Sequence, residues 1–239
     1  MVAVNLLSTQ SVSRHFGGLI AVQNVDFDLP KGEIRALIGP NGAGKTTFVS
    51  MLCGRIPVSS GRIMFQGQDV TQLPAHKRIQ QGIAYTFQIT SIFAELSVYE
   101  NVALAVQPRL SNAINKLAQE VETALTRVGL QAYSERTAGD MAYGHQRLLE
   151  VAMGLGQSPQ LLILDEPTQG LSDAEVDDFI TLIKEVAETT TVLLIEHNIN
   201  VVMALADRIT VMNFGEIIAE GSPEEIRQND AVQTAYLGG

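Results

Sequence analysis

A chain of 239 residues holds one or two domains and is long enough to bury a substantial core. Hydrophobic residues at 46% and charged residues at 18% exclude a disordered chain, and a formal net charge of −10 argues against a nucleic-acid or anionic-lipid surface, because phosphate-rich partners select clustered Lys and Arg. The single cysteine, Cys53, excludes an internal disulfide and, with only four scattered His, leaves no convincing zinc site, so a reducing compartment is expected.

The first residues, Met1 to Ser8, lack the basic patch and long apolar core of a signal peptide. No run approaches the roughly 18 apolar residues needed to span a bilayer, so the chain is expected to be soluble and to reach a membrane only through a partner. Short aliphatic runs alternate with helical periodicity, which favours a layered α/β architecture. Glu33 to Ile38 reads as a buried strand entering a glycine-rich turn, and Leu161 to Leu164 and Thr191 to Ile195 are two more, apolar on both faces. Such runs suit a central parallel sheet covered by helices. Arg208 to Asn213 and Glu216 to Glu220 flank Phe214-Gly215 as a hairpin. Between about Val98 and Leu155 the pattern turns helical. Ile114, Leu117, Val121, Leu125 and Val128 are spaced by 3, 4, 4 and 3, one apolar stripe with Gly129 as its stop. This region is expected to be a helical insertion between two parts of one α/β core. Ser222, Pro223 and Glu225 then give a capping box at the start of a last helical segment.

Gly39-Pro40-Asn41-Gly42-Ala43-Gly44-Lys45-Thr46 matches G-x-x-x-x-G-K-[ST] directly after the first buried strand. Its glycines let backbone N–H groups turn inward around phosphate oxygens that Cβ atoms would obstruct. Lys45 supplies a point charge to the β- and γ-phosphates, the Thr46 hydroxyl can ligate magnesium, and a helix beginning near Gly44 adds its positive dipole end. Leu161 to Glu166 supplies the second element. An apolar strand delivers Asp165 to its carboxyl end beside the phosphate loop, where it can hold magnesium through water, and Glu166 is placed to polarise an attacking water.

With these two motifs in this order, the chain resembles the ATPase subunits of ABC transporters over essentially its whole length. The resemblance implies a phosphate-loop nucleotidase core of the RecA-like α/β type, an N-terminal antiparallel β portion and an inserted helical subdomain. It implies a single ATPase domain, with a core of about residues 1–90 and 156–239 and a helical subdomain of about 91–155. It implies ATP and magnesium as ligand and cofactor, and it extends the nucleotide set to Thr47. Gln88, in Tyr85-Thr86-Phe87-Gln88, matches the glutamine that contacts magnesium and couples to the membrane partner. His197 matches the histidine that contacts the γ-phosphate, which makes it catalytic beside Glu166. Phe16 matches the aromatic that stacks on adenine. Taken singly, Gln88 reads as a surface amide, His197 as a strand-end histidine and Phe16 as a core aromatic; only their joint order points to nucleotide.

Two departures stand out. Where the family usually reads Leu-Ser-Gly-Gly-Gln, this chain has Met141-Ala142-Tyr143-Gly144-His145. Ala142, Tyr143, Gly144 and His145 would sit at a helix start facing ATP bound to an opposite subunit, and Ala142 lacks the hydroxyl that serine offers there. After Glu166, Ser172 replaces the usual aspartate, and with Glu175 it still forms a helix-start pattern. The Ala142-Tyr143-Gly144 variant, Phe16 to Leu19 and the tail Ala235 to Gly238 together resemble the branch serving branched-chain amino-acid importers and urea or short-amide importers. A lipopolysaccharide-export ATPase ranks behind these, and a non-transport ABC protein or a phosphate-loop kinase behind that. The resemblance implies transmembrane permease subunits, a second ATPase subunit (identical or different) and, indirectly, a periplasmic substrate-binding protein as partners, with no nucleic acid. It implies a peripheral position on the cytoplasmic face of the membrane. Ile89 to Leu96 is the expected groove for a short permease helix, although Ile92, Phe93 and Leu96 could equally pack the base of the insertion.

Overall fold

Aliphatic runs without a polar face must be covered on both sides. Three of them form β3 (Ile34–Ile38), β7 (Leu161–Asp165) and β8 (Thr191–Ile195), and every residue of the three is buried. They lie in a computed structural model that describes residues 5–86, 91–110 and 113–237. Before β3 run β1 (Asn5–Phe16) and β2 (Leu19–Pro30). Between β3 and β7 come α1 (Lys45–Leu52), β4 (Ser60–Phe65), β5 (Gln68–Asp69), α2 (Ala75–Gln80), β6 (Ile83–Thr86), α3 (Val98–Leu110), α4 (Leu117–Arg127) and α5 (Tyr143–Gly156). The remainder comprises α6 (Asp173–Ala187), α7 (Ile199–Leu205), β9 (Arg208–Asn213), β10 (Glu216–Gly221), α8 (Pro223–Arg227) and α9 (Asp230–Leu237).

The main sheet runs β10-β9-β3-β8-β7-β6, parallel except for β10, which returns antiparallel beside β9 as the expected hairpin. A second, antiparallel sheet runs β2-β1-β4-β5. Period-2 alternation divides β7 and β8 between two cores. Leu161, Ile163, Leu193 and Ile195 point into the cluster built by α1 and the antiparallel sheet, with Phe48 edge-on to Phe27 at 5.6 Å between ring centroids. Leu162, Leu164, Val192 and Leu194 point into the cluster built by α3, α4, α5 and α6.

The helical block stands where the sequence placed it, with differences at the ends. The stripe enters α4 at Leu117, because Ile114 lies in a short 3-10 turn, and α5 runs one residue past Leu155 to Gly156. The stop at Gly129 forms as a Schellman pattern: its N–H donates to the Thr126 carbonyl at 3.1 Å, and that of Leu130 to the Leu125 carbonyl at 2.9 Å. The strand expected from Glu33 begins at Ile34, and the one expected to end at Leu164 includes Asp165. At Ser222 the capping box forms, the Ser222 N–H donating to Glu225 at 2.7 Å and the Glu225 N–H returning to the Ser222 hydroxyl at 3.3 Å.

Candidate nucleotide site

Parallel strands bring three loops to one edge of the sheet, the carboxyl ends of β3, β7 and β8, where open α/β sheets bind ligands. The loop after β3 is Gly39 to Gly44, and α1 starts at Lys45 with Gly44 as its N-cap. Gly44 adopts φ +99°, and a Cβ there would lie 2.4 Å from the Ala21 carbonyl oxygen, so only glycine fits. The Gly215 N–H donates to the Ala43 carbonyl at 2.9 Å, which pins the loop to the β9–β10 turn.

Lys45 is 6% exposed, and its Nζ donates to the Gly39 carbonyl at 2.6 Å and the Pro40 carbonyl at 3.1 Å. Burial pulls its pKa down, against the charges of Glu166 and Asp165, which pull it up. Asn41, Gly42 and Thr46 are exposed, and Phe16, Ile20, Ala43, Gly44, Lys45, Thr47, Glu166 and His197 line one cleft with them. At its mouth Phe16 ends β1, half-exposed, with the Arg14 guanidinium 4.5 Å from its ring centroid.

Asp165, the last residue of β7, is buried, and its Oδ2 accepts the Tyr85 hydroxyl at 2.6 Å. Burial pushes its carboxyl pKa up; the Tyr85 hydrogen bond works against that and the neighbouring Glu166 charge adds to it. Burial first, then the bond to Asp165, pushes the Tyr85 phenol up as well. Glu166 follows in a left-handed conformation, φ +47°, its N–H donating to the Ile195 carbonyl at 2.8 Å. A non-glycine residue pays roughly 1–2 kcal/mol for that backbone. Its Oε1 lies 2.9 Å from His197 Nε2, so the two residues read as catalytic from sequence touch.

The chain's own groups fit a magnesium–nucleotide. Thr46 and Asp165 are hard oxygen donors, and among the described residues no group of three or more His, Cys, Asp and Glu could cage a metal. Two such oxygens suit magnesium, which keeps waters and phosphate oxygens and takes one or two protein oxygens. Gln88, the third expected metal contact, lies outside the described residues.

The signature segment lies elsewhere. Ala142 is the N-cap of α5 and makes no side-chain cap, while Tyr143 is 43% exposed. Gly144 and His145 line a separate cleft between α4, α5 and α6. A Cβ on Gly144 would lie 2.2 Å from Glu175 Oε1, so a larger residue there would require that exposed carboxylate to swing aside. Glu175 also accepts the Ser172 N–H at 2.8 Å and its hydroxyl at 2.7 Å, so the Ser172 departure keeps its helix start. One turn into α5, Arg147 pairs with Glu150 at 2.8 Å, both buried. The Arg147 guanidinium also donates to the Glu166 carbonyl at 3.3 Å, and Glu150 accepts the Ser91 N–H at 2.6 Å. Sequence reading missed this pair, and Tyr85 and Glu196 too. Each adjoins a motif, the only signal there was.

Fold and site together define a phosphate-loop nucleotide hydrolase. Residues 22–169 match the family described as "ABC transporter", and residues 216–239 match "Branched-chain amino acid ATP-binding cassette transporter". The chain belongs to the ABC transporter ATP-binding family. It is 39% identical over 98% of both chains to the high-affinity branched-chain amino acid transport ATP-binding protein LivG of Escherichia coli (strain K12). Identity to the lipopolysaccharide export system ATP-binding protein LptB of the same strain is 31% over 97% of both. Among solved structures, the ADP conformation of MJ1267, an ATP-binding cassette of an ABC transporter, superposes with a TM-score of 0.89 at 28% identity, over 99% of this chain and all of that one.

Proposed function

We propose that this chain hydrolyses ATP to drive an importer of branched-chain amino acids. The observation that carries the hydrolytic part is the 2.9 Å contact between Glu166 and His197 beside the Lys45 loop. The phosphates lie along the backbone of Gly42 to Thr46, with Lys45 against the β- and γ-phosphates. Adenine stacks on Phe16. Glu166 accepts a proton from the attacking water, and His197 orients Glu166 and touches the γ-phosphate. Thr46, Gln88 and, through water, Asp165 would hold magnesium, which would supply positive charge to the phosphates. Tyr85 fixes which Asp165 oxygen remains for that task.

Residues 1–239 act as one ATPase domain, with 91–155 as its helical part. Ala142 to His145 of one subunit face ATP on a second ATPase subunit, in keeping with Gly144 and His145 lining a different cleft from the phosphate loop. Permease subunits dock beside Gln88. Of the docking segment, Ile89 and Thr90 lie outside the described residues, Ile92 packs on the helical core and Phe93 is 54% exposed. No helix among the described residues is long and apolar enough to cross a membrane. Attachment to the cytoplasmic face, and a periplasmic binding protein delivering the cargo, then follow from the permease.

The importer reading is favoured over lipopolysaccharide export by the match at residues 216–239, by 39% against 31% identity, and by Ala142-Tyr143 in place of serine and glycine. The test is uptake of labelled leucine by vesicles carrying this chain with the permease genes that neighbour its own. ATP-dependent uptake abolished by Lys45→Ala is the expected result; ATP hydrolysis without amino-acid uptake overturns the cargo assignment alone.

A further inference from the structure

Glu196 continues β8 between Ile195 and His197 and is only 3% exposed. Among the described residues no Lys, Arg or His stands within ion-pair distance of it. A buried carboxylate is costly unless donors satisfy it, and here the donors divide by loop. Its Oε1 accepts the Thr168 N–H at 3.0 Å and, in a shorter contact, the Thr168 hydroxyl. Its Oε2 accepts the N–H groups of His197 at 2.8 Å and Asn198 at 3.0 Å. One oxygen therefore holds the loop that leaves Glu166, and the other holds the loop that carries His197. Those two loops bear the side chains that meet at 2.9 Å. A cap serving only the turn at His197 would use one oxygen, and a neutral side chain could supply it.

We propose that Glu196 is a positioning residue for ATP hydrolysis: one buried carboxylate clamps the Thr168 loop to the His197 loop and so fixes Glu166 against His197. The inference rests on the assignment of Glu166 and His197 to hydrolysis made above. The carboxylate bonds to Thr168, His197 and Asn198 and to no residue of Gly39 to Thr46, so the phosphate-loop and Lys45 contacts that dominate ATP affinity should survive loss of the clamp.

Glu196→Gln tests it, because an amide has one acceptor oxygen and must turn its NH2 group toward backbone N–H donors on one loop or the other. The expected result is turnover reduced about 10- to 100-fold, the scale set by roughly 1 Å of misplacement, with the KM for ATP within about twofold of wild type. Amide hydrogen exchange should quicken at Thr168 or at His197 and Asn198, and stay unchanged across Gly39 to Thr46. Thr168→Val, which removes a donor from the same clamp without disturbing the carboxylate, should lower turnover by a smaller factor and be less than additive with Glu196→Gln. Should Glu196→Gln fail to fold, Thr168→Val against Thr168→Ser decides, the serine variant keeping wild-type turnover. Folded Glu196→Gln with turnover within twofold of wild type overturns the clamp, as does a rise in KM that matches the fall in kcat. Glu166→Gln and His197→Ala run alongside: if they too keep wild-type turnover, the hydrolytic assignment itself fails, and if they lose it while Glu196→Gln does not, only the clamp fails.

Discussion

Helices α1 and α5 both begin without a side-chain cap, and they begin differently. At α1 the loop folds back on itself: Gly39 and Pro40 turn their carbonyls onto Lys45, Gly44 takes a conformation closed to other residues, and the first-turn N–H groups face an open cleft. At α5 the start is Ala142 and a half-exposed Tyr143, with Glu175 of α6 lying against Gly144. The first arrangement is a complete anion site within one chain. The second helix end lines a separate cleft through Gly144 and His145, and no N-cap side chain serves its first turn. The proposed catalytic pair, Glu166 and His197, thus lines the cleft at α1 and not the one at α5.

The contrast can be broken most severely at Lys45. Lys45→Ala removes the cation from the phosphate cleft and should abolish detectable turnover while weakening nucleotide affinity, read by phosphate release and equilibrium binding. Unchanged turnover would dissolve the difference between the two helix starts. Next come the cores beneath them. Phe48 on α1 and Leu149 on α5 are both fully buried, so Phe48→Ala should cost about 3–5 kcal/mol and Leu149→Ala about 2–5 kcal/mol in denaturant unfolding. The comparison sharpens if ATP binding by the single subunit falls with the first variant and survives the second. A smaller effect is expected at the cleft mouth, where Phe16→Ala should weaken ATP binding by about 1–3 kcal/mol, the scale of one base on one ring, and Phe16→Tyr should not. Smallest is Ala142→Ser, which restores a hydroxyl on the α5 side and should leave ATP-driven association unchanged or strengthen it by about 0.5–1.5 kcal/mol, measured by light scattering. Association abolished by that serine would mean Ala142 does not face a phosphate.

What was legible in the sequence follows the same division. Gly39 to Thr46 and Leu161 to Glu166 are contiguous, and each residue type is dictated by local backbone and charge, so their strands, loop and helix start stand where they were expected within a residue. The long antiparallel β1 and β2 were legible only as a β portion, because bulges near Val12 and Arg14 break the alternation that marks a strand. Hydrogen bonds formed across the fold were not legible at all. Tyr85 meets Asp165, and Thr168 meets Glu196, through strand pairing that brings together residues 80 and 28 positions apart. Glu196 adjoins His197 in sequence, yet only the geometry divides its two oxygens between loops.

The most direct test of this account is the identity of the nucleotide recovered from Glu166→Gln protein after incubation with ATP and magnesium. The substitution keeps shape and hydrogen-bonding capacity but removes the negative charge that polarises water. Bound ATP should be recovered uncleaved, with turnover lost and Lys45 still holding the phosphates. Recovery of ADP formed at the wild-type rate would contradict the assignment of Glu166, and with it the claim that the cleft at α1 carries the chemistry.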